Sequence, residues 1–554
     1  MRSLLVVRRR EFLKGASATT AAAALGGCEG DGPGSGDAPA TDARDVSHPR
    51  ELPAYPGEHD DRVAHLLPTV NHQRLLLKCS LKDAPDDPPV LWIDDRPVDG
   101  LNTDKDGRFF LFDAAGLDPD TSYTLSLTAG AQHLIDPWPV RTFPAPDQAA
   151  ERLRMLVFTC PGGNDFLGLQ LPLSIRHRFI ERGLSFEPDV ALVIGDHVYW
   201  DLRAGLGGAF LGGSDRAIEW AGEIDFEAPA LGGANEDVLK KAVGPQIAEL
   251  YGTRFRGLPS FFIRDDHDYF ENDEYREEIV TFPPDAASLR LARASQWLYY
   301  PEFLPDAARP TDLPDASAAD RPQGIAEAFG TLRYGDLLEA LLYDCKGFLT
   351  LDGEQAVMVP PAVEAWLRNR MAESSARHVV NVPSNPPGWS AGKFAEWYPD
   401  SVNDEGLLTT DTPKPGWQSG WMAQHDRLLA AASAMPRIPL FLSGDIHSHA
   451  EGRILRSRDT DLSANPVVSV IVGTPGTNDG AWPSFFRGTV ATPSSELQVE
   501  EALPALEENG FNIVDFDRDS ITIRSFRWDK ETMGEDEIDA LEPFRVTTLT
   551  RPTS

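Results

Sequence analysis

Four short segments of the chain concentrate side chains that bind metal ions. The segment FTC ends in Cys160, and IGDHVYWD carries Asp196, Tyr199 and Asp201. IRDDHDYFEND carries Asp265, Asp266, His267 and Asp268, and SGDIHSHA carries Asp445, His447 and His449. Thiolate, phenolate and imidazole together suit a ferric-type ion better than Mg²⁺ or Ca²⁺. Cys160, Asp196, Tyr199 and His447 could form such a site. Asp266 and Asp445 offer only oxygen and suit a harder divalent ion such as Ca²⁺, Mn²⁺ or Mg²⁺. Asp196 stands between the two sets and could bridge them. Two ions ~3.5–4 Å apart can clamp a phosphoryl group and hold a hydroxide for in-line attack. His267, next to Asp266, could pass a proton or a hydrogen bond to the leaving oxygen.

Neighbouring residues carry weaker signals. Asp265 reads equally as a direct ligand or as a carboxylate behind one. Arg264 reads as a phosphate contact or as the partner of an adjacent carboxylate. His197, Asp268 and His449 read as hydrogen-bonded supports or surface groups. The aromatic residues Trp389, Trp397, Tyr398, Trp417 and Trp421 read first as packing and second as the wall of a groove. Asn381 and Ser384 are weak candidates for polar site residues.

Each metal-binding segment directly follows a short apolar run: MLVF (155–158), DVALVI (189–194), SFFI (260–263) and PLFLS (439–443). These runs predict buried strands. In α/β proteins ligands gather beyond the carboxyl ends of strands. Ionisable groups right after apolar strands are costly to bury without such a purpose. From about residue 150 strands alternate with helices, which predicts an α/β (α+β) catalytic domain over 150–554. FNIVDFDRDSITIRSF predicts a hairpin around Asp517, Arg518 and Asp519.

Residues 59–146 read differently. RLLLKCSL, VLWID, RFFLFDA and SYTLSLTA are short alternating runs separated by turn clusters. They predict a small all-β sandwich, with Tyr123 at a corner like that of an immunoglobulin-like or fibronectin-like domain. Residues 29–58, rich in Gly, Asp, Pro and Ala toward their start, predict a flexible tether. In residues 1–28, Arg9 and Arg10 precede Phe12, Leu13 and Lys14, and a weakly apolar stretch follows. This resembles a twin-arginine export signal, and Leu25-Gly26-Gly27-Cys28 resembles a lipoprotein cleavage box with Cys28 as the lipidated residue. No other apolar run reaches the ~20 residues of a membrane span. A lipid anchor is therefore the one membrane attachment expected, at the periplasmic or cell-surface side. If Cys28 is lipidated, Cys79, Cys160 and Cys345 remain, which allows one internal disulfide at most. Pairing of Cys79 with Cys345 is disfavoured because they fall in different predicted domains.

The formal net charge of −35 over 554 residues repels nucleic-acid backbones, so no nucleic-acid partner is expected. It does not exclude phosphate esters, because bound cations reverse the sign inside a pocket.

The order Cys, GDxxY, DDHD, GDxH resembles the PhoD-like alkaline phosphatases of the wider metallophosphoesterase superfamily. FTC stands in place of the superfamily's first DxH block. Asp266 stands where an Asn is usual, and Asp445 where the first His of the last block is usual. The stretches LYDCKGFL, EAWLRNRMAESSARHVV and GWMAQHDRLL are similar to that branch's middle region. The resemblance spans roughly residues 60–545. It implies a four-layer β-sandwich flanked by helices, preceded by the small all-β domain. It also implies Fe³⁺ plus Ca²⁺, or another hard divalent ion, held by Cys160, Asp196, Tyr199, Asp266, Asp445 and His447. The implied activity is hydrolysis of phosphate mono- or diesters through a metal-bridging hydroxide, with Asp196 and His267 catalytic, in phosphate scavenging after export by the twin-arginine machinery. Cys345-Lys346 departs from the Thr-Arg pair expected at that place. The segment HVVNVPSNPPGWSAGK and the residues after GDHVYWD are also divergent, which bears on substrate preference. Two alternatives stand beside this reading. One is a phosphodiesterase or phospholipase-type enzyme on lipid or polymer diesters. The other is a non-enzymatic, lipid-tethered binding protein.

Overall fold

Alternation decides the layering. In a computed structural model describing residues 51–551 except 58, 60, 166–167, 201–217, 270–273, 276–277, 280–282 and 315–319, the apolar runs are strands buried on both faces. The predicted signal, the greater part of the tether, Cys28 and Asp201 lie outside the described residues.

A six-stranded sheet contains β1 (Arg152–Thr159), β2 (Val190–Ile194) and β3 (Ser260–Ile263). An eight-stranded sheet contains β4 (Phe329–Tyr334), β5 (Leu338–Tyr343), β6 (His378–Pro383), β7 (Leu440–Ser443), β8 (His449–Ser457), β9 (Thr460–Asp461), β10 (Val467–Ile471) and β11 (Leu497–Leu506). The first sheet is completed by β12 (Asn509–Asp517), β13 (Ser520–Trp528) and β14 (Arg545–Thr550), in the order β3-β2-β1-β12-β13-β14. The hairpin expected around Arg518 is β12–β13.

Successive side chains of a strand point to opposite faces. Met155, Val157, Leu192 and Ile263 therefore meet Ala340, Leu342, Val380, Leu442 and Val470 between the two sheets. Leu156, Phe158, Val193 and Phe262 face outward against α1 (Leu173–Leu184), α2 (Ala234–Gly244) and α3 (Ala286–Tyr299). On the other side, Leu341, Val379 and Phe441 face α4 (Pro361–Glu373) and α5 (Ser419–Ser433). The result is four layers: helices, sheet, sheet, helices.

Residues 63–141 form two further antiparallel sheets of four and five strands. Their inner faces, including Leu75, Leu77, Leu91, Phe112 and Leu127, belong to the same apolar cluster as the space between the large sheets. The Tyr123 hydroxyl accepts a 2.8 Å hydrogen bond from the Asp118 backbone N–H, which pins the turn before its strand. Cys79, Cys160 and Cys345 are buried free thiols. Among the described residues no helix is long and apolar enough to cross a membrane.

Candidate metal centre

Parallel pairing brings three strand ends to one edge. Thr159 pairs with Ile194, and Ile194 with Ile263, so Cys160, Asp196 and Asp266 emerge side by side. In the facing sheet β7 runs parallel to β6 and β10 and ends at Ser443, two residues before Asp445. The turns are tight. Cys160, Asp196 and Asp445 hold left-handed φ values of 49°, 50° and 66°. Such backbone costs non-glycine residues of order 1–3 kcal/mol each and concentrates at functional sites. A side chain at Gly195, itself at φ 72°, would press on Asp265 Cβ at 2.7 Å.

The donor atoms converge. One ligand atom each from Cys160, Asp196 and His447 lies within 4.8 Å of the others, and the same holds for Asp196, Asp265 and Asp266. The Tyr199 hydroxyl is 2.9 Å from Asp196 Oδ2 and 3.1 Å from His447 Nε2. His447 Nδ1 faces the Ala481 carbonyl at 3.0 Å, so that nitrogen carries the proton and Nε2 presents its lone pair to the cluster. Burial and the charge of Asp196 push the Cys160 thiol well up. Burial, Asp196 and Cys160 do the same to the Tyr199 phenol. Alone, both groups stay protonated; a cation that binds them must displace those protons.

Gln246, which its sequence did not single out, holds the loops together with Asp268 and Ser384, which it did. The Gln246 side-chain oxygen accepts from the backbone N–H groups of Gly163 (2.6 Å) and Tyr199 (2.7 Å), and its amide nitrogen donates to the Tyr199 carbonyl (2.9 Å). The Asp268 carboxylate accepts from the N–H groups of Val198 (3.0 Å) and Asp265 (2.9 Å). The Ser384 hydroxyl accepts from Cys345 N–H at 3.1 Å and so fixes the turn that carries Lys346.

Other predicted candidates point elsewhere. The Arg264 guanidinium lies 3.9 Å from Asp344 and 5.1 Å from the Tyr269 ring centre. The His197 ring packs against Phe262 and Tyr300 in the helical layer, and burial lowers it to about 3. His449 packs edge-on to Phe544. Trp389, Trp397, Tyr398 and Trp421 are buried packing residues, and Trp417 donates to the Trp397 carbonyl at 3.1 Å. Asn381 is buried on β6 beside Met371. His267 is half-buried, its ring centre 4.1 Å from that of Tyr199.

The two candidate ion positions differ in fit. For a cation among Cys160, Asp196, Tyr199 and His447 the residues fit: the donors are of mixed soft and hard type, and Asp196 Oδ1 is buried with no hydrogen-bond partner among the described residues. For a second cation between Asp266 and Asp445 they do not, because lysine ammoniums already meet both carboxylates, although Asp266 Oδ1 and both Asp265 oxygens stay without a hydrogen-bond partner among the described residues. Lys393 Nζ donates to Asp266 Oδ2 at 2.8 Å and also to Asp445 Oδ1. Lys346 Nζ reaches Asp445 Oδ2 at 3.3 Å and Asp265 Oδ1 at 3.9 Å. Burial opposes ionisation of Asp266, but Lys393, Lys346 and His267 outweigh it and hold that carboxyl below the usual carboxylate range.

No protein-family model matches the sequence, and no curated protein matches it. Solved structures do match in fold. One is described as the structure of PhoD, at 12% identity and TM-score 0.56, with 90% of each chain covered. Another is the purple acid phosphatase PPD1 from yellow lupin (Lupinus luteus) seeds, at 11% identity and TM-score 0.51, covering 88% of this chain and 74% of that one. On this architecture, the chain has a PhoD-like metallophosphoesterase-type fold.

Proposed function

We propose that the chain is a metal-dependent phosphoesterase that hydrolyses phosphate mono- or diesters at the strand-end cluster. The observation that carries this reading is the convergence of Cys160, Asp196 and His447 within 4.8 Å, with the Tyr199 hydroxyl against two of them. The likeness in fold to two phosphatases supports it. A cation held by this set supplies Lewis-acid polarisation of a phosphoryl oxygen and of the attacking water. The remaining work falls to the chain. Asp196, tied to Tyr199, keeps its second oxygen free toward the cluster. His267, half-buried beside Tyr199, gives a proton to the departing alcohol oxygen as the bond from that oxygen to phosphorus breaks; the water oxygen bonds to phosphorus, and the proton it sheds restores His267. The donor chemistry of thiol, phenol and imidazole favours a ferric-type ion.

Elemental analysis of the purified chain, paired with hydrolysis of p-nitrophenyl phosphate and bis-p-nitrophenyl phosphate, tests the reading. Bound iron, a violet colour from phenolate-to-iron charge transfer and turnover of at least one substrate are expected. The ratio of the two rates assigns monoester or diester preference. A chain that binds no metal and hydrolyses neither substrate after iron supplementation overturns it. Export by the twin-arginine route, lipid attachment at Cys28 and a role in phosphate scavenging belong to the same proposal and rest on residues 1–28 and on the resemblance; the mass of the mature N-terminus tests the first two.

A further inference from the structure

We infer that the second cation of this site is built into the chain: the Lys393 ammonium, backed by Lys346, stands where a second metal ion would stand, so that the centre works with a single metal ion. The inference rests on the phosphoesterase reading and assigns the electrostatics of the same site. Its basis is geometric. Lys393 Nζ bridges Asp266 and Asp445, the two carboxylates expected to hold a second, harder ion. Lys346 Nζ lies on the other oxygen of Asp445, donates to the Ala395 carbonyl at 3.2 Å and is closed off from solvent. Two ammonium charges equal the charge of one divalent ion, so the carboxylates are neutralised to the same extent as by Ca²⁺. An ammonium also does part of a second ion's work, since it donates to a phosphoryl oxygen while staying bound to carboxylates. Lys393 is suited to this, because its side chain keeps 11% of its surface exposed whereas that of Lys346 keeps none. The two lysines come from different loops, after β5 and after β6, and those loops contain Cys345-Lys346 and the divergent segment ending in Lys393.

The test is a metal count on the full chain, loaded with iron and dialysed against excess Ca²⁺ or Mn²⁺. A single ion per chain, and no gain in melting temperature with added Ca²⁺, is expected of the wild type. Lys393→Met and the double change Lys393→Met with Lys346→Met keep the stem and remove the charge. These variants are expected to take up a second, divalent ion and to melt higher when Ca²⁺ is added. Turnover of Lys393→Met without Ca²⁺ is expected to fall by about 10²-fold, the typical loss for one electrostatic contact to the transition state, with partial recovery on adding Ca²⁺. A wild-type chain that hydrolyses phosphate esters with two bound ions overturns the lysine assignment and leaves the phosphoesterase reading standing. A folded double variant that still binds one ion also overturns the assignment. A wild-type chain with no ion and no turnover overturns the phosphoesterase reading instead. If the variants do not fold, the wild-type count decides alone.

Discussion

Two clusters of charge in this molecule, one reaching solvent at Asp320 and one buried, differ in balance. Where the N-terminal sheets meet the helix-and-sheet layers, Lys78 Nζ lies 3.0 Å from Glu302, and Arg321 lies 2.9 Å from Glu302 and 3.0 Å from Glu327. Arg293 closes the group on Glu327 at 2.7 Å, and Asp320 pairs with both arginines. Lys78 and Arg321 also stand over the Trp297 ring system, at 4.7 Å and 4.3 Å. Three cations meet three carboxylates, and the cluster is electrically complete. At the strand ends, Asp196, Asp265, Asp266 and Asp445 share the ammoniums of Lys346 and Lys393, with a thiol and a phenol beside them. Buried oxygens of Asp196, Asp265 and Asp266 find no hydrogen bond among the described residues, and neither do Glu302 Oε2 and Arg321 Nε in the first cluster, so the two differ in charge balance and not in hydrogen-bond satisfaction. A balanced cluster holds the fold together; an anionic one is a site that waits for a cation.

The contrast is sharpest in substitutions that remove one carboxylate from each cluster. Asp196→Asn is expected to lower turnover by ~10³-fold or more and to abolish metal retention. The metal-free chain should keep its melting temperature or gain slightly, because a poorly compensated charge is gone. Glu302→Gln should do the opposite. It strands Lys78 and leaves Arg321 with only Glu327 and Asp320, so stability to urea should fall by about 3 kcal/mol while turnover per folded molecule is unchanged. If Asp196→Asn unfolds the metal-free chain as readily as Glu302→Gln, the distinction between the clusters fails.

Acid titration separates the regions next. His65 lies beside Lys78, with its ring nitrogens 2.5 Å from Ser80 Oγ and 2.8 Å from the Tyr299 carbonyl. Burial, with help from Lys78 and against the Tyr299 hydrogen bond, brings its pKa from 6.5 down to about 4. The unfolded chain therefore takes up a proton between these values that the folded chain does not. Stability contributed by the neutral ring is complete above pH ~6.5 and lost as pH falls toward ~4, by about 3 kcal/mol. His65→Gln should flatten this acid limb of the stability curve. An unchanged limb would show that the histidine is not held neutral by this cluster.

The same comparison shows what could be read from the chain alone. The four apolar runs and the donor-bearing side chains that follow them were legible because strand periodicity and donor chemistry are local properties. The sandwich before them was legible for the same reason. The lysines were not. Lys393 sits in a Gly- and Pro-rich stretch whose spacing implies only a loop, and its partners Asp266 and Asp445 lie 127 and 52 residues away. Lys346 could be read as a departure from a resemblance but not as a charge aimed at Asp445. Gln246 was invisible because its role, satisfying Gly163 and Tyr199, depends on a helix approaching the strand ends from outside. The balanced cluster was equally hidden, since Lys78 meets Glu302 across 224 residues. The left-handed backbone at Cys160, Asp196 and Asp445 is a consequence of closing the turns and has no marker in non-glycine residues.

The smallest expected effect probes how the anionic cluster accepts its ion. The Thr159 hydroxyl lies 2.5 Å from the Ile194 carbonyl oxygen and 3.0 Å from Cys160 Sγ. It has one proton. Pointed at Ile194, the hydroxyl accepts from the Cys160 thiol; turned to Cys160, it donates to the thiolate and releases the carbonyl. The second state favours the deprotonated Cys160 that a bound ion needs. Thr159→Val keeps the shape and removes both bonds. The lost bond to Ile194 should cost about 1 kcal/mol of stability. The lost donor to the thiolate should weaken iron binding by about 10-fold, the lower end for a group that supports a metal ligand, with turnover at saturating iron nearly unchanged. Iron titration of Thr159→Val beside the wild type measures it. Equal affinity would mean that the thiolate needs no donor from the chain, and that the ion alone offsets the burial of Cys160.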